Sequence, residues 1–445
     1  MKILFISLGC DKNLADSEEM LGLLTGNGHE IVDSEEEADA IVVNTCCFIH
    51  DAKEESVNTI LEMAEYKTSG SCKVLIVTGC MAQRYKEEII QEIPEVDAVL
   101  GTTSYGDIVK ALNEAQAGNV FQEFRDINDL PEDSGRRVIT TGGHFGYLKI
   151  AEGCDKHCTY CIIPSLRGKF RSVPEERLLK QAEYMASQGV KELIIVAQET
   201  TVYGTDLYGK KTLHILLKKL CQIKGIRWIR ILYCYPEEIY DELIQVMKEE
   251  KKICHYLDLP IQHASDRILR RMGRRTSKAQ LVDIITKLRR EIPDIVLRTS
   301  LITGFPGETE EDHQELMEFV DEMEFDRLGV FTYSPEEGTP AETMEGQVPE
   351  ELKEERRDEI MELQQEISLE KGDSRIGQEL LVMIEGKVSG ESAYIGRTYG
   401  DAPKVDGYIF VQTGELLVTG DFAKVKVTGA LEYDLIGELA DEYTE

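Results

Sequence analysis

The sequence predicts an α/β protein in three parts: an N-terminal parallel α/β sheet domain, a partial (open) βα barrel, and a small antiparallel β-barrel towards the C-terminus. Three observations predict it. In residues 1–118, uninterrupted apolar runs alternate with helical stretches, the pattern of a parallel sheet covered on both faces. Six further strand–helix pairs occupy residues 145–333, fewer than the eight units and roughly 250 residues of a closed barrel. From Gln378 the pattern changes to short strands punctuated by glycine, as in a small barrel.

The elements follow in order. Strands are expected at Lys2–Ser7, Ala40–Asn44, Lys73–Thr78 and Ala98–Leu100, with helices at Asp16–Leu24, Ala52–Tyr66 and Gln83–Glu92. Residues 119–139 mix charge with Pro131 and Gly135 and read as a linker. The second domain, 140–372, opens with a strand at Phe145–Ile150. Further strands are expected at Glu192–Ala197, Trp228–Leu232, Tyr256–Leu259, Val296–Thr303 and Arg327–Tyr333. Helices alternate with them, and a charged helix over Pro349–Lys371 leads to the last unit, 373–441. There the strands are expected at Glu379–Glu385, Tyr408–Gln412 and Asp421–Thr428.

Composition narrows the function. No apolar run approaches the ~18 residues of a membrane helix, and Met1–Gly9 runs into Cys10-Asp11-Lys12 without a small-residue cleavage site. A cytoplasmic protein with no membrane partner is expected. Eleven cysteines form no even disulfide framework and read as ligands plus buried thiols. A net charge of −33 argues against broad affinity for bare nucleic acid. From Ile376 to Glu445 there are 13 acidic and 5 basic residues, a balance of 5 − 13 = −8. A barrel with that charge repels a phosphate backbone and prefers a basic protein surface.

The chemistry is carried by cysteines. Cys154, Cys158 and Cys161 lie on one loop after the first strand of the second domain, where βα folds collect functional residues. Three close thiolates point to a 4Fe–4S cluster with one open iron. Structural zinc, with His157 or a distant residue as fourth ligand, is the alternative. In the first domain Cys10, Cys46 and Cys80 each follow a strand, so all three face the crevice at the carboxyl ends of a parallel sheet. They read as a second three-ligand site; small apolar residues packing at strand ends are the plain alternative. Cys47 should point away from Cys46, and Cys72, Cys221, Cys234 and Cys254 read as ordinary thiols. Gln198, Gln262 and the Gly304–Gly307 turn also follow strands; a helix-entry turn organised by Glu308 explains the last equally well. His263 reads as a hydrogen-bonded structural histidine rather than a base.

The spacing Cys154-x3-Cys158-x2-Cys161 resembles that of the radical S-adenosylmethionine (SAM) superfamily. With Cys10, Cys46, Cys80 and a terminal TRAM barrel, essentially the whole chain resembles the methylthiotransferases. The stretches Ser7–Asn13, Phe331–Thr339 and Gly396–Pro403 are similar to those of members that act on an aspartate of ribosomal protein S twelve. The runner-up is the type that modifies an adenosine beside the tRNA anticodon. A non-enzymatic iron–sulfur or zinc protein is the third reading. Cys47 departs from the family run Asn-Thr-Cys-Gly-Phe-Ile, which has glycine there.

The resemblance implies two 4Fe–4S clusters and S-adenosyl-L-methionine as cofactors. The cluster on Cys154, Cys158 and Cys161 would bind SAM and cleave it to a 5′-deoxyadenosyl radical, which takes hydrogen from the β-carbon of the aspartate. The cluster on Cys10, Cys46 and Cys80 would carry the sulfur to be inserted, and a second SAM would donate methyl. Tyr160 is a candidate for packing on the SAM adenine, with an ordinary loop aromatic as the plain alternative. Gln198 and Gln262 are candidate SAM or substrate contacts. The implied partners are ribosomal protein S twelve and an electron donor. Direct RNA binding is not expected, and a monomer is the default.

Overall fold

A computed structural model describes residues 1–132 and 135–440. Residues 133–134 of the expected linker and residue 441, the last of the expected barrel domain, lie outside the described residues. Among the described residues no helix is long and apolar enough to cross a membrane.

The N-terminal sheet contains β1 (Lys2–Ser7), β2 (Glu30–Val32), β3 (Ala40–Thr45), β4 (Val74–Gly79), β5 (Ala98–Leu100) and β6 (Phe121–Glu123). All its pairs are parallel, in the order β2-β1-β3-β4-β5-β6. Alternation along each strand feeds two apolar layers. Ile3, Val42 and Ile76 pack with Met20 and Leu24 of α1 (Asp11–Gly26). Ile41, Val43, Leu75 and Val77 face Ile60 and Met63 of α2 (His50–Ser69). The helix expected at Gln83–Glu92 is two short ones, α3 (Cys80–Tyr85) and α4 (Glu87–Glu92), because the chain turns at Lys86 with φ of 44°. After α5 (Ile108–Gln116), the stretch expected to be a linker contributes edge strand β6 and is then pinned down. Arg137 is buried, pairs with Glu18 at 2.6 Å and donates to the Tyr147 carbonyl at 2.7 Å.

The second domain begins with β7 (Phe145–Lys149). A two-stranded ribbon, β8 (Ala151–Glu152) with β9 (Arg171–Ser172), brackets the cysteine loop and the short helix α6 (Ile163–Arg167). Five more strands follow: β10 (Glu192–Val196), β11 (Trp228–Ile231), β12 (Ile253–Asp258), β13 (Val296–Thr303) and β14 (Arg327–Thr332). Their order β14-β13-β12-β11-β10-β7 is sequential, so every crossover moves one strand along and the sheet stays open. One face packs against the helices through Leu148, Leu193, Ile195, Ile229 and Leu257. Capping boxes at Ser277/Gln280 and Thr309/Asp312 start two of those helices.

The last unit is a closed barrel of β15 (Glu379–Lys387), β16 (Ala393–Thr398), β17 (Ile409–Gln412), β18 (Phe422–Ala430) and β19 (Leu435–Leu439). Four seams are antiparallel and one, β17 with β19, is parallel. Strand β16 escapes the sequence pattern because Arg397 and Thr398 are fully buried on it. Their burial has a purpose in the packing. The inner face of the open sheet, including Phe145, Ile194, Trp228 and Tyr256, forms one layer with Met383, Ala402 and Phe422 of the barrel. Trp228 meets Phe422 edge-on at 4.8 Å. Glu192 sits between Arg230 and Arg397, 2.7 Å from each, with all three fully buried. Glu192 and Trp228 are the first residues of their strands. The barrel therefore covers the amino ends of the open sheet and leaves its carboxyl ends to the first domain.

Candidate active site

Strands β1, β3 and β4 are neighbours in register, with Ser7 opposite Asn44 and Thr45 opposite Gly79. Their carboxyl ends therefore bring Cys10, Cys46 and Cys80 to one edge, as the sequence led us to expect. Cys10 is the exposed N-cap residue of α1, while Cys46 and Cys80 are buried. The glycines before two of them are required. Gly9 has φ of 84° and a Cβ there would lie 2.7 Å from that of Cys46; Gly79 has φ of 93°. Asn13, fully buried, ties the turns together by donating to the carbonyls of Thr45 at 2.9 Å and Leu8 at 3.2 Å. Cys47 turns into the apolar layer with Leu75 and Met81 and is fully buried.

The second set sits between β8 and β9. Cys154 and Cys158 are buried and Cys161 is half-buried. The Lys156 amide donates to the Cys154 sulfur at 3.4 Å, and the Tyr235 hydroxyl lies 3.5 Å from that of Cys158. Tyr160 packs edge-on to Phe305 at 6.4 Å, and Phe305 in turn meets Tyr333. Its ring is thus part of an aromatic cluster beside the loop.

Other strand ends of the open sheet line the intervening space. The buried amide oxygen of Gln198 has no hydrogen-bond partner, nor does one carboxylate oxygen of Glu199. Burial pushes the Glu199 carboxyl up to about 7. Gln262 has φ of 72° and bridges to Leu301 through its backbone. Tyr233 has φ of 59° and donates from its hydroxyl to Asp11 at 3.1 Å. Side chains held at positive φ mark strain that only surrounding structure sustains. His263 is structural: its Nδ1 accepts from the amides of Ala264 and Ser265 at 3.0 and 2.9 Å, with Glu308 on the far side at 3.4 Å. Glu308 accepts from the amides of Gly304 and Phe305, so the glycine turn is the helix-entry device.

A buried charge network joins the two cysteine sets. Arg167, at the end of α6, donates to Asn13 and, at 3.6 Å, to the Cys80 sulfur. Its other nitrogen reaches Asp16 at 2.8 Å and Glu152 at 3.1 Å, and Lys149 pairs with the same two carboxylates. Sequence reasoning missed Arg167, Lys12 and Tyr233, because none stands in a ligand-like spacing.

The donor set fits iron–sulfur clusters. All six cysteines are free thiols. Burial pushes Cys154 up to about 11 and Cys46 and Cys161 up to about 12, so iron must displace protons to bind. Among the described residues no three His, Cys, Asp or Glu side chains close on one point as a single ion requires. Thiolates of a cluster each take a different iron and so surround a space instead.

Comparison with known proteins gives these sites a family. Residues 2–101 match the uncharacterized protein family UPF0004, residues 148–320 the Radical SAM superfamily and residues 376–440 the TRAM domain. The superfamily match brings SAM and an iron–sulfur cluster as cofactors. The radical SAM methyltransferase TsrM of Kitasatospora setae shares the fold, with a TM-score of 0.54 and 13% identity over 77% of each chain. The ribosomal protein uS12 methylthiotransferase RimO of Lachnoclostridium phytofermentans is 65% identical over 98% of this chain and 99% of its own. That of Clostridium perfringens is 52% identical over 99% and 98%. The chain belongs to the RimO family of uS12 methylthiotransferases, radical SAM enzymes that transfer a methylthio group.

Proposed function

We propose that this enzyme inserts sulfur at the β-carbon of an aspartate of ribosomal protein uS12 and methylates that sulfur. Cys154, Cys158 and Cys161 hold the 4Fe–4S cluster that binds SAM, and Cys10, Cys46 and Cys80 hold a second. Together the bound clusters and SAM supply a radical able to take hydrogen from an unactivated carbon, and the sulfur that replaces it. The chain's own residues position these parts: Asn13 and Arg167 hold the N-terminal set, and the Lys156 amide and Tyr235 hydroxyl contact Cys154 and Cys158 of the other. Gln198, with its unpartnered buried oxygen, and Gln262 are the SAM or substrate contacts, and Tyr160 borders the nucleoside. An electron donor reduces the system, and the enzyme works as a cytoplasmic monomer without direct RNA contact.

The observation that carries this reading is the meeting of two incomplete cysteine sets at strand carboxyl ends, bridged by Arg167. The −8 balance of the terminal barrel supports a basic protein as partner over tRNA. The test is a single reaction of the reconstituted enzyme with SAM, reductant, uS12 and tRNA. A methylthio mass addition on an aspartate of uS12 is expected. Modification of tRNA alone would replace this reading with the nucleic-acid one.

A further inference from the structure

Among the described residues one buried lysine has no acid partner. Among the described residues nine lysines and arginines are buried. Eight have a carboxylate within 4.0 Å, from Arg137 on Glu18 to Arg397 on Glu192. The ninth is Lys12, with 7% of its surface exposed and no ion pair. Its ammonium stands 3.2 Å from the centre of the Tyr233 ring. A cation–π contact offsets only part of the cost of burying a charge. Every other buried lysine and arginine among the described residues has an acid partner, so the exception needs a reason.

Position supplies one. Lys12 lies two residues after Cys10 and contacts a ring two residues before Tyr235, whose hydroxyl is 3.5 Å from the Cys158 sulfur. It therefore stands between the two cysteine sets. Two acids bear on its Tyr233 partner and are committed elsewhere: Asp11 accepts from the Tyr233 hydroxyl at 3.1 Å, and Asp258 accepts from the Tyr233 amide at 3.1 Å and pairs with Arg298 at 2.7 Å. Without a cation, a substrate carboxylate entering among them would meet like charge. Tyr233 keeps its ring under Lys12 despite φ of 59°, a conformation that costs energy to hold.

We propose that Lys12 is the specificity-determining residue that binds the substrate side-chain carboxylate and holds the adjoining carbon between the two cysteine sets. This rests on the aspartate reading above and deepens it, since an adenosine has no carboxylate for Lys12 to bind. The carboxylate of SAM is the other group with the same chemistry, and the test separates the two.

The reconstituted holoenzyme is titrated anaerobically with a labelled uS12 peptide containing the target aspartate, with the same peptide carrying asparagine, and with SAM. The wild type binds the aspartate peptide more tightly than its isostere. K12M and K12Q, checked for wild-type iron content, bind the aspartate peptide about 10- to 100-fold more weakly, the scale of one charge-assisted hydrogen bond. Their preference between the peptides disappears, and K12R restores it. Undiminished preference in both K12M and K12Q overturns the assignment, as does a loss of SAM affinity with peptide preference intact. A wild type that binds neither peptide overturns the aspartate reading itself, and the Lys12 assignment with it.

Discussion

Arg167 donates a hydrogen bond to the sulfur of Cys80 at 3.6 Å across 87 residues of sequence. The same guanidinium holds Asp16 of the first domain and Glu152 of the second. Glu152 stands two residues before Cys154, and Arg167 six after Cys161. One buried cation thus fixes how the two cysteine sets face one another.

Removing that cation is expected to be costly. In R167M, Asp16 and Glu152 keep only Lys149 as a counter-charge, and breaking a buried pair typically costs about 3–5 kcal/mol. Denaturant unfolding should register a loss of that size. Hydrogen bonds to cluster sulfurs also tune reduction potential. A redox titration should therefore find the cluster proposed on Cys10, Cys46 and Cys80 at a lower potential in R167M than in the wild type.

Glu199 predicts a pH dependence. Burial raises its carboxyl to about 7 from an ordinary 4.5. Between those values the folded protein holds a proton that the unfolded chain has released, so its contribution to stability falls as pH rises. It is constant above about 7. Glu199→Gln removes the titration. The wild-type minus E199Q difference in unfolding free energy should decline from pH 5 to pH 7 and then level off; a difference independent of pH would contradict the assignment.

Glu192 predicts how firmly the terminal barrel is docked. In E192Q the Arg230 guanidinium loses its only carboxylate partner among the described residues and keeps the backbone carbonyls of Thr398 and Tyr399, while Arg397 keeps Glu385 at 2.6 Å. Two fully buried cations then face each other without the acid between them. A loss of about 3–5 kcal/mol is expected. Limited proteolysis should cut at the junction with the barrel in E192Q sooner than in the wild type.

The residues that were legible in the sequence share one property: a local pattern encodes them. Cys10, Cys46 and Cys80 each end an apolar run, and parallel strands put such ends side by side. The Cys154 loop follows its strand for the same reason. Lys12 and Tyr233 were invisible because their contact exists only once two domains have folded against each other. Arg167 has no ligand-like spacing to announce it. Strand β16 was missed because buried Arg397 breaks its apolar alternation to reach Glu192 in another domain. The break between α3 and α4 at Lys86 had no glycine or proline to mark it.

The two cysteine sets are proposed to hold one cluster each, and iron content tests this most directly. The anaerobically reconstituted enzyme should contain about eight irons per chain, falling to about four in the Cys10→Ala, Cys46→Ala, Cys80→Ala variant. About four irons in both proteins, or zinc in place of iron, would contradict it.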